Sequence, residues 1–206
     1  MYLSTRVMRA NGTRVPEAVA LVSSIVEHIN ANHGSDFGVG TQIGGDPSAI
    51  GVSCGWENLG DYQAFLDSMG ADESMPGRVA AADGLLMPAD AEDAIWSILR
   101  PPGEPQEFTS VSSANVRISQ IADALAFALE VAEYSSGLTG SDAGVAMALT
   151  GDRSRLIWVS HAADMAEIQE TGDALNADAG YLDFFKRSEG LFIESSLAAT
   201  IWRRIG

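Results

Sequence analysis

Three histidines, one cysteine and four tryptophans carry most of the chemistry this chain can offer. His28 and His33 stand five apart, about 140° around a helix, a spacing that keeps them from sharing one metal ion from a single face. His161 closes an apolar run, Ile157-Trp158-Val159-Ser160-His161, and no carboxylate stands at a recognisable ligand spacing from any of the three. The expectation is therefore that there is no metal site. Gly51-Val52-Ser53-Cys54-Gly55 spells G-x-S-x-G, the nucleophile elbow of hydrolases. That elbow needs a serine at a strained strand-to-helix turn over a parallel sheet, whereas Ser53 falls inside a strand returning from a hairpin. Its glycines read better as positions of close packing or a bulge. Gly38-Val39-Gly40-Thr41-Gln42-Ile43-Gly44 approaches the dinucleotide fingerprint, but Ile43 takes the third glycine's place and no helix follows.

Composition narrows the classes further. The chain has 206 residues, 46% of them hydrophobic, which is ample for packed cores. Its formal charge is −16, with Lys186 the sole lysine, so phosphate backbones and anionic membrane surfaces are repelled. One cysteine, Cys54, excludes an intrachain disulfide and a CxxC site. The opening Met1-Tyr2-Leu3-Ser4-Thr5-Arg6 has no apolar signal region. The most apolar stretch, residues 121–132, is too short for a bilayer and carries Asp123 and Glu130. The expected setting is the cytoplasm, with no nucleic-acid and no membrane partner.

The elements that must position these residues are written twice. Asp93-Ala94-Ile95-Trp96-Ser97-Ile98-Leu99 answers to Ala199-Thr200-Ile201-Trp202-Arg203-Arg204-Ile205, the two tryptophans lying 106 residues apart. The same offset relates Gly34-Ser35-Asp36 to Gly140-Ser141-Asp142, Gly45-Asp46-Pro47-Ser48 to Gly151-Asp152-Arg153-Ser154, and Ala71-Asp72 to Ala177-Asp178. By eye there are about 20 identities over roughly 100 aligned positions, the signature of an internal repeat. Residues 1–100 and 107–206 read as two copies, joined by 101–106, where three prolines in five residues form a stiff spacer.

Each copy reads strand, helix, strand, strand, helix, strand. Tyr2 to Arg9 is the first strand. Val15, Val19, Val22, Val26 and Ile29 then give one helical stripe, with Thr13, and Ser119 in the second copy, placed to cap it. Phe37, Val39, Thr41 and Ile43 alternate on one face of the second strand. Gly45-Asp46 makes the hairpin turn, and Ala49 to Gly55 returns. Asn58-Leu59-Gly60-Asp61 and Asp164-Met165-Ala166-Glu167 each set a capping side chain three residues before a carboxylate, opening the second helix. Leu59, Tyr62, Phe65, Leu66 and Met69 form its buried face. Residues 73–82 and 179–188 add a short extra helix in each copy before the Trp-bearing strand.

A βαββαβ order with a tight hairpin is the ferredoxin-like unit, whose sheet carries both helices on one face. Its bare face would leave each large apolar side chain short of roughly 1.5–3 kcal/mol, and a second sheet on a short linker covers it. Two such units joined sheet to sheet resemble the dimeric α+β barrel superfamily, here as a tandem duplication. The resemblance spans the whole chain and rests on the repeat, the element order and the capped second helix. It implies an α+β fold: two ferredoxin-like repeats packed sheet-to-sheet as an intrachain barrel, either a monomer with an internal pseudo-dimer or a homodimer. It further implies a site between sheet and helices of one unit, and an activity such as cofactor-independent monooxygenation or isomerisation of a small hydrophobic molecule. A non-catalytic binding or structural role is the alternative. Haem enzymes of the superfamily take an axial histidine from a helix, often in the second unit, where only His161 stands, at a strand end; His28 is the helical candidate. No cofactor is expected.

Aromatics common to both copies, Trp96 and Trp202, read as core. Function is expected where the copies diverge, at His28, Cys54, Trp56, Trp158 and His161, around a mostly apolar pocket. Arg6 on the first strand either holds an anionic group or lies at the solvent edge.

Overall fold

The computed structural model describes residues 1–205, and of residues 88–90 the backbone. In chain order the elements are β1 (Tyr2–Ala10), α1 (Val15–His33), β2 (Gly38–Gly44), β3 (Ala49–Trp56), α2 (Leu59–Gly70), α3 (Met75–Ala80) and β4 (Leu86–Arg100). They recur as β5 (Phe108–Asn115), α4 (Ile121–Thr139), β6 (Gly144–Ala148), β7 (Arg155–Ala162), α5 (Met165–Ala177), α6 (Ala179–Arg187) and β8 (Ala198–Ile205). The strands form a closed barrel in the order β1-β3-β2-β8-β5-β7-β6-β4, so the fold is α+β. Two compact units divide the described residues, 1–96 with 203–205, and 97–202.

In the first unit β3 pairs antiparallel with β1 from Tyr2↔Trp56 to Arg9↔Ala49, and with β2 from Gly38↔Ser53 to Thr41↔Ile50. Helix α1 lies over this sheet through Ala18, Val22 and Val26, spaced by four. With Ala10, Val39, Ile50 and Leu85 they make one core. A second cluster, Cys54, Trp56 and Phe65 with Tyr2, Phe37, Tyr62 and Met69, fills the space under α2. In the second unit Ala124, Ala128 and Ala132 put the smallest side chains on the buried stripe of α4, against Val116, Val145 and Leu156. Ile50 and Leu156 are wholly buried, each stabilising its unit by roughly 1.5–3 kcal/mol relative to exposure.

The capped helices form as their sequences require. Asn58 Oδ1 accepts the Asp61 amide at 3.0 Å and Asp164 Oδ1 that of Glu167 at 2.9 Å, while Glu167 Oε2 reaches back to the Ala163 amide at 2.7 Å. Both hairpin turns carry the same clasp: Asp46 Oδ1 accepts from Ser48 N and Oγ, and Asp152 Oδ1 from Ser154 N and Oγ.

Other expectations fail locally. Thr13 and Ser119 do not cap. Helix α1 starts at Val15, with Arg14 at the N-cap position and Pro16 in its first turn, where the missing N–H removes one orphan donor, and a 3₁₀ turn, Ile118–Gln120, leads into α4. The alternation of β2 breaks after Thr41, where pairing with β3 ends; Gln42 is buried, its side chain on the Gly44 carbonyl at 3.1 Å, and Ile43 is exposed. Of the apolar face of α2 only Phe65 is fully buried, and Leu59 and Leu66 are exposed. Residues 101–105 are fastened to the second unit. The Gly103 amide donates to Asp142 O at 3.2 Å, and a Cβ at Gly144 would stand 2.5 Å from Pro102 N. Arg100 donates to Ala132 O at 3.2 Å, to Ser136 Oγ at 2.9 Å and to Ala143 O.

Candidate functional site

Three chain segments of the first unit meet around an open cleft of about 550 Å³, lined by residues 34–36, 54–57 and 61. Helix α1 ends at Gly34, whose φ of 66° provides the left-handed cap and turns Ser35 and Asp36 toward the end of β3. Strand periodicity puts Cys54 and Trp56 on one face of β3, and the box-capped start of α2 brings Asp61.

Trp56 is 9% exposed. Its indole N–H donates to Ser4 Oγ at 2.9 Å, and its ring stands 5.2 Å from that of Phe65, 5.4 Å from Tyr62 and 5.9 Å from Phe37. The indole is therefore fixed in orientation, as buried indoles with a satisfied N–H are. Cys54 is also buried, its Sγ 3.5 Å from the Gly55 carbonyl. Burial pushes its thiol above the ordinary range, and the charge of Asp36 adds to the rise while a hydrogen bond with the Asp36 backbone offsets part of it. A thiol so placed stays protonated at neutral pH and is no nucleophile. Asp36, Glu57 and Asp61 rim the cleft, and among its described lining residues none is cationic. Charge alone makes this rim more compatible with a neutral or cationic group than with an anionic one. The carboxylate rim offers hydrogen-bond acceptors and repels an anion.

The remaining sequence candidates lie elsewhere. Trp158 is packed into the second unit, its N–H on the Ala128 carbonyl at 3.1 Å and its ring 5.9 Å from Phe192. His161 sits beside Thr109, Nδ1 to Oγ1 3.0 Å, in a recess of about 160 Å³ lined by residues 103, 104, 106, 140–142, 161 and 167. His28 is turned from the cleft toward His33 and Asp72. Its Nε2 is 2.8 Å from Asp72 Oδ2, and that of His33 is 3.0 Å from the same oxygen. The helical spacing of the two histidines thus does not separate them: Asp72, entering from the α2–α3 connection, receives both rings. Arg6 is engaged with Asp93, Nε to Oδ1 2.6 Å and Nη2 to Oδ2 2.7 Å. Ser53 lies within β3, paired to Thr5 and Gly38, so the G-x-S-x-G match forms no elbow.

Of the five candidates, then, Cys54 and Trp56 share one cleft. The rim residues that sequence reasoning missed carried a signal. Gly34-Ser35-Asp36 and Gly140-Ser141-Asp142 recur at the 106-residue offset and line the cleft and the recess respectively. Gly55 and His161, and Asp61 and Glu167, stand in the same relation. The two cavities occupy corresponding places in their units. In the second unit, Gly103, Glu104 and Gln106 help line the smaller cavity.

No family model matches the chain, and no curated protein matches it in sequence. Solved structures do match in fold. A candidate monooxygenase of Fusobacterium nucleatum aligns with a TM-score of 0.74 at 8% identity, over 100% of this chain and 92% of that one. A second, of Lactobacillus acidophilus, aligns with a TM-score of 0.69 at 10% identity, over 98% and 93%. An anthrone oxidase-like protein aligns with a TM-score of 0.68 at 11% identity, over 100% and 92%. The fold defines the class, an α+β barrel shared with monooxygenase-like proteins. At such identities the likeness extends to the fold alone. No helix among the described residues is long and apolar enough to cross a membrane.

Proposed function

We propose that the first-unit cleft binds a small, largely hydrophobic molecule and that the protein acts on it as a cofactor-independent monooxygenase or isomerase. On this reading its two units are copies of one ancestral unit, and the first keeps the working cleft. The observation that carries the proposal is the cleft itself: an opening of about 550 Å³ with Asp36, Glu57 and Asp61 at its rim and Trp56 among its lining residues, within the range of small-molecule sites. The substrate lies in the cleft beside Trp56, and Asp36, which has no helix-capping task, takes a proton from an activated C–H or O–H. The resulting anion is either reprotonated at another carbon, giving an isomer, or reacts with dioxygen, one oxygen atom entering the product as a carbonyl and the other leaving as water with the protons the substrate gives up.

The lack of a cation among the lining residues favours a second reading, binding without turnover, because a substrate anion would meet only like charge. Both readings are tested by offering anthrone and related aromatic ketones to the purified protein. Oxygen uptake and product formation are followed alongside binding, with Asp36→Asn as the comparison. Turnover that Asp36→Asn lowers at least tenfold upholds the enzyme. Saturable binding without turnover upholds the second reading. Absence of binding by any member of the panel contradicts both.

A further inference from the structure

The His28–His33–Asp72 cluster lies apart from the cleft, and its counterpart in the second unit shows what a purely mechanical version requires. At the 106-residue offset His28, His33 and Asp72 answer to Tyr134, Thr139 and Asp178. There one phenol does the fastening, Tyr134 Oη donating to Asp178 Oδ1 at 2.7 Å, and α4 is tied to the start of α6. The first unit brings two imidazoles and a hydroxyl to the corresponding carboxylate. His28 Nε2 lies 2.8 Å and His33 Nε2 3.0 Å from the same Asp72 Oδ2, and Ser74 Oγ is 3.2 Å from His28 Nε2. One nitrogen from each ring and one carboxylate oxygen all fall within 4.8 Å of one another.

We propose that His28, His33 and Asp72 form a binding site for one borderline divalent transition-metal ion of the Zn²⁺ class. Two imidazoles and a carboxylate are a donor set such ions take, at about 2.0–2.2 Å per bond, which sets tetrahedral ligand atoms about 3.3 Å apart. Relaxing the two N···O contacts by about 0.3–0.5 Å meets that requirement. The outer partners hold the ligands in aim. The Ser74 amide occupies Asp72 Oδ1 at 2.8 Å, leaving Oδ2 to the rings, and Ser68 Oγ holds His33 Nδ1 at 2.7 Å, leaving Nε2. On His28, Nδ1 faces the exposed Asn32 amide at 3.2 Å; ligation through Nε2 moves the ring proton to Nδ1, and Asn32 turns away. The side chains are 18%, 6% and 15% exposed for His28, His33 and Asp72, so an ion can enter. The fourth position is left to water or Ser74 Oγ, the open pattern of three-ligand zinc sites. Bound there, the ion fastens the end of α1 to the α2–α3 connection.

Calorimetric titration of the full chain with ZnCl₂ tests this, since a chain of charge −16 collects cations loosely and specificity must be read from the variants. One saturable site per chain is expected, unmoved by a hundredfold excess of Ca²⁺ or Mg²⁺ and unchanged in His161→Gln. His28→Gln, His33→Gln and Asp72→Asn should each weaken it at least tenfold, with far-UV circular dichroism reporting their folding. Should a variant fail to fold, Co²⁺ bound to the wild-type chain should give tetrahedral d–d bands, and the ¹⁵N resonances of His28 and His33 should shift. No saturable binding, displacement by Ca²⁺, or equal affinity in a folded variant would overturn the site, as would Co²⁺ that leaves both histidine resonances in place.

Discussion

Replacing Trp56 with alanine and with phenylalanine separates what its ring does from what its N–H does. The ring meets three others, Phe65, Tyr62 and Phe37, at 5.2–5.9 Å, pairs that contribute about 0.5–1.5 kcal/mol each beyond area burial. The N–H bond to Ser4 Oγ contributes about 1 kcal/mol net. Truncation to alanine at a buried site should therefore cost about 3–5 kcal/mol, a large share of the 5–15 kcal/mol that typically holds a domain together. Phenylalanine keeps a ring in the cluster and should cost about 1–2 kcal/mol, chiefly the lost N–H donor and a smaller ring. Guanidinium unfolding followed by far-UV circular dichroism reads both as midpoint shifts. Trp56→Ala costing under about 1 kcal/mol would refute the packing described around Trp56. Phenylalanine as damaging as alanine would refute the division between ring and donor.

Three further outcomes follow from the same geometry. Asp164→Ala should destabilise α5 by about 1 kcal/mol and Asp164→Asn by much less, since asparagine keeps the accepting oxygen; thermal melts of both variants check this. Gly144→Ala should cost about 1–3 kcal/mol by overpacking, because the new methyl meets the Pro102 backbone, and hydrogen exchange should rise at the Gly103 amide. Asp178 is held below the ordinary carboxylate range, first by the Tyr134 hydroxyl and then by the Tyr181 amide. A depressed folded value means its stabilisation is complete above the unfolded value of about 3.9 and is lost as pH falls through the folded one. Tyr134→Phe should lower the melting temperature at pH 7, and the gap to wild type should narrow below about pH 3.9; a gap constant with pH would contradict the assignment.

What could be read from the sequence was what is decided locally. Asn58 and Asp164 sit three residues before their carboxylates, and that spacing alone fixes a helix start; the repeated Gly-Asp turns are equally self-contained. Of the stripe read on α1, Val22 and Val26 are buried and Val15 and Val19 partly so, whereas Ala18, which completes the buried row, did not stand out by type. Thr13 misled because Pro16 had already removed a donor from the first turn, and Ile43 because β2 stops pairing with β3 two residues earlier. Trp158 looked free to meet a ligand because nothing in the sequence announces that Ala128 would offer its carbonyl. The convergence of His28 and His33 needed Asp72, which lies 44 residues from His28 along the chain. No helical spacing contains that information. The cleft was half legible: Cys54 and Trp56 stood out by type, whereas Asp36 lay unremarked inside a repeated Gly-Ser-Asp phrase.

The central claim is that a small molecule lodges against Trp56 in the first unit. Amide chemical-shift mapping of ¹⁵N-labelled protein titrated with anthrone or a related aromatic ketone addresses it directly. Saturable shifts confined to residues 34–36 and 54–57, weakened in a Trp56→Phe variant that remains folded, are predicted. Shifts that gather instead around His161 and residues 140–142, or that never saturate at any position, would contradict the account.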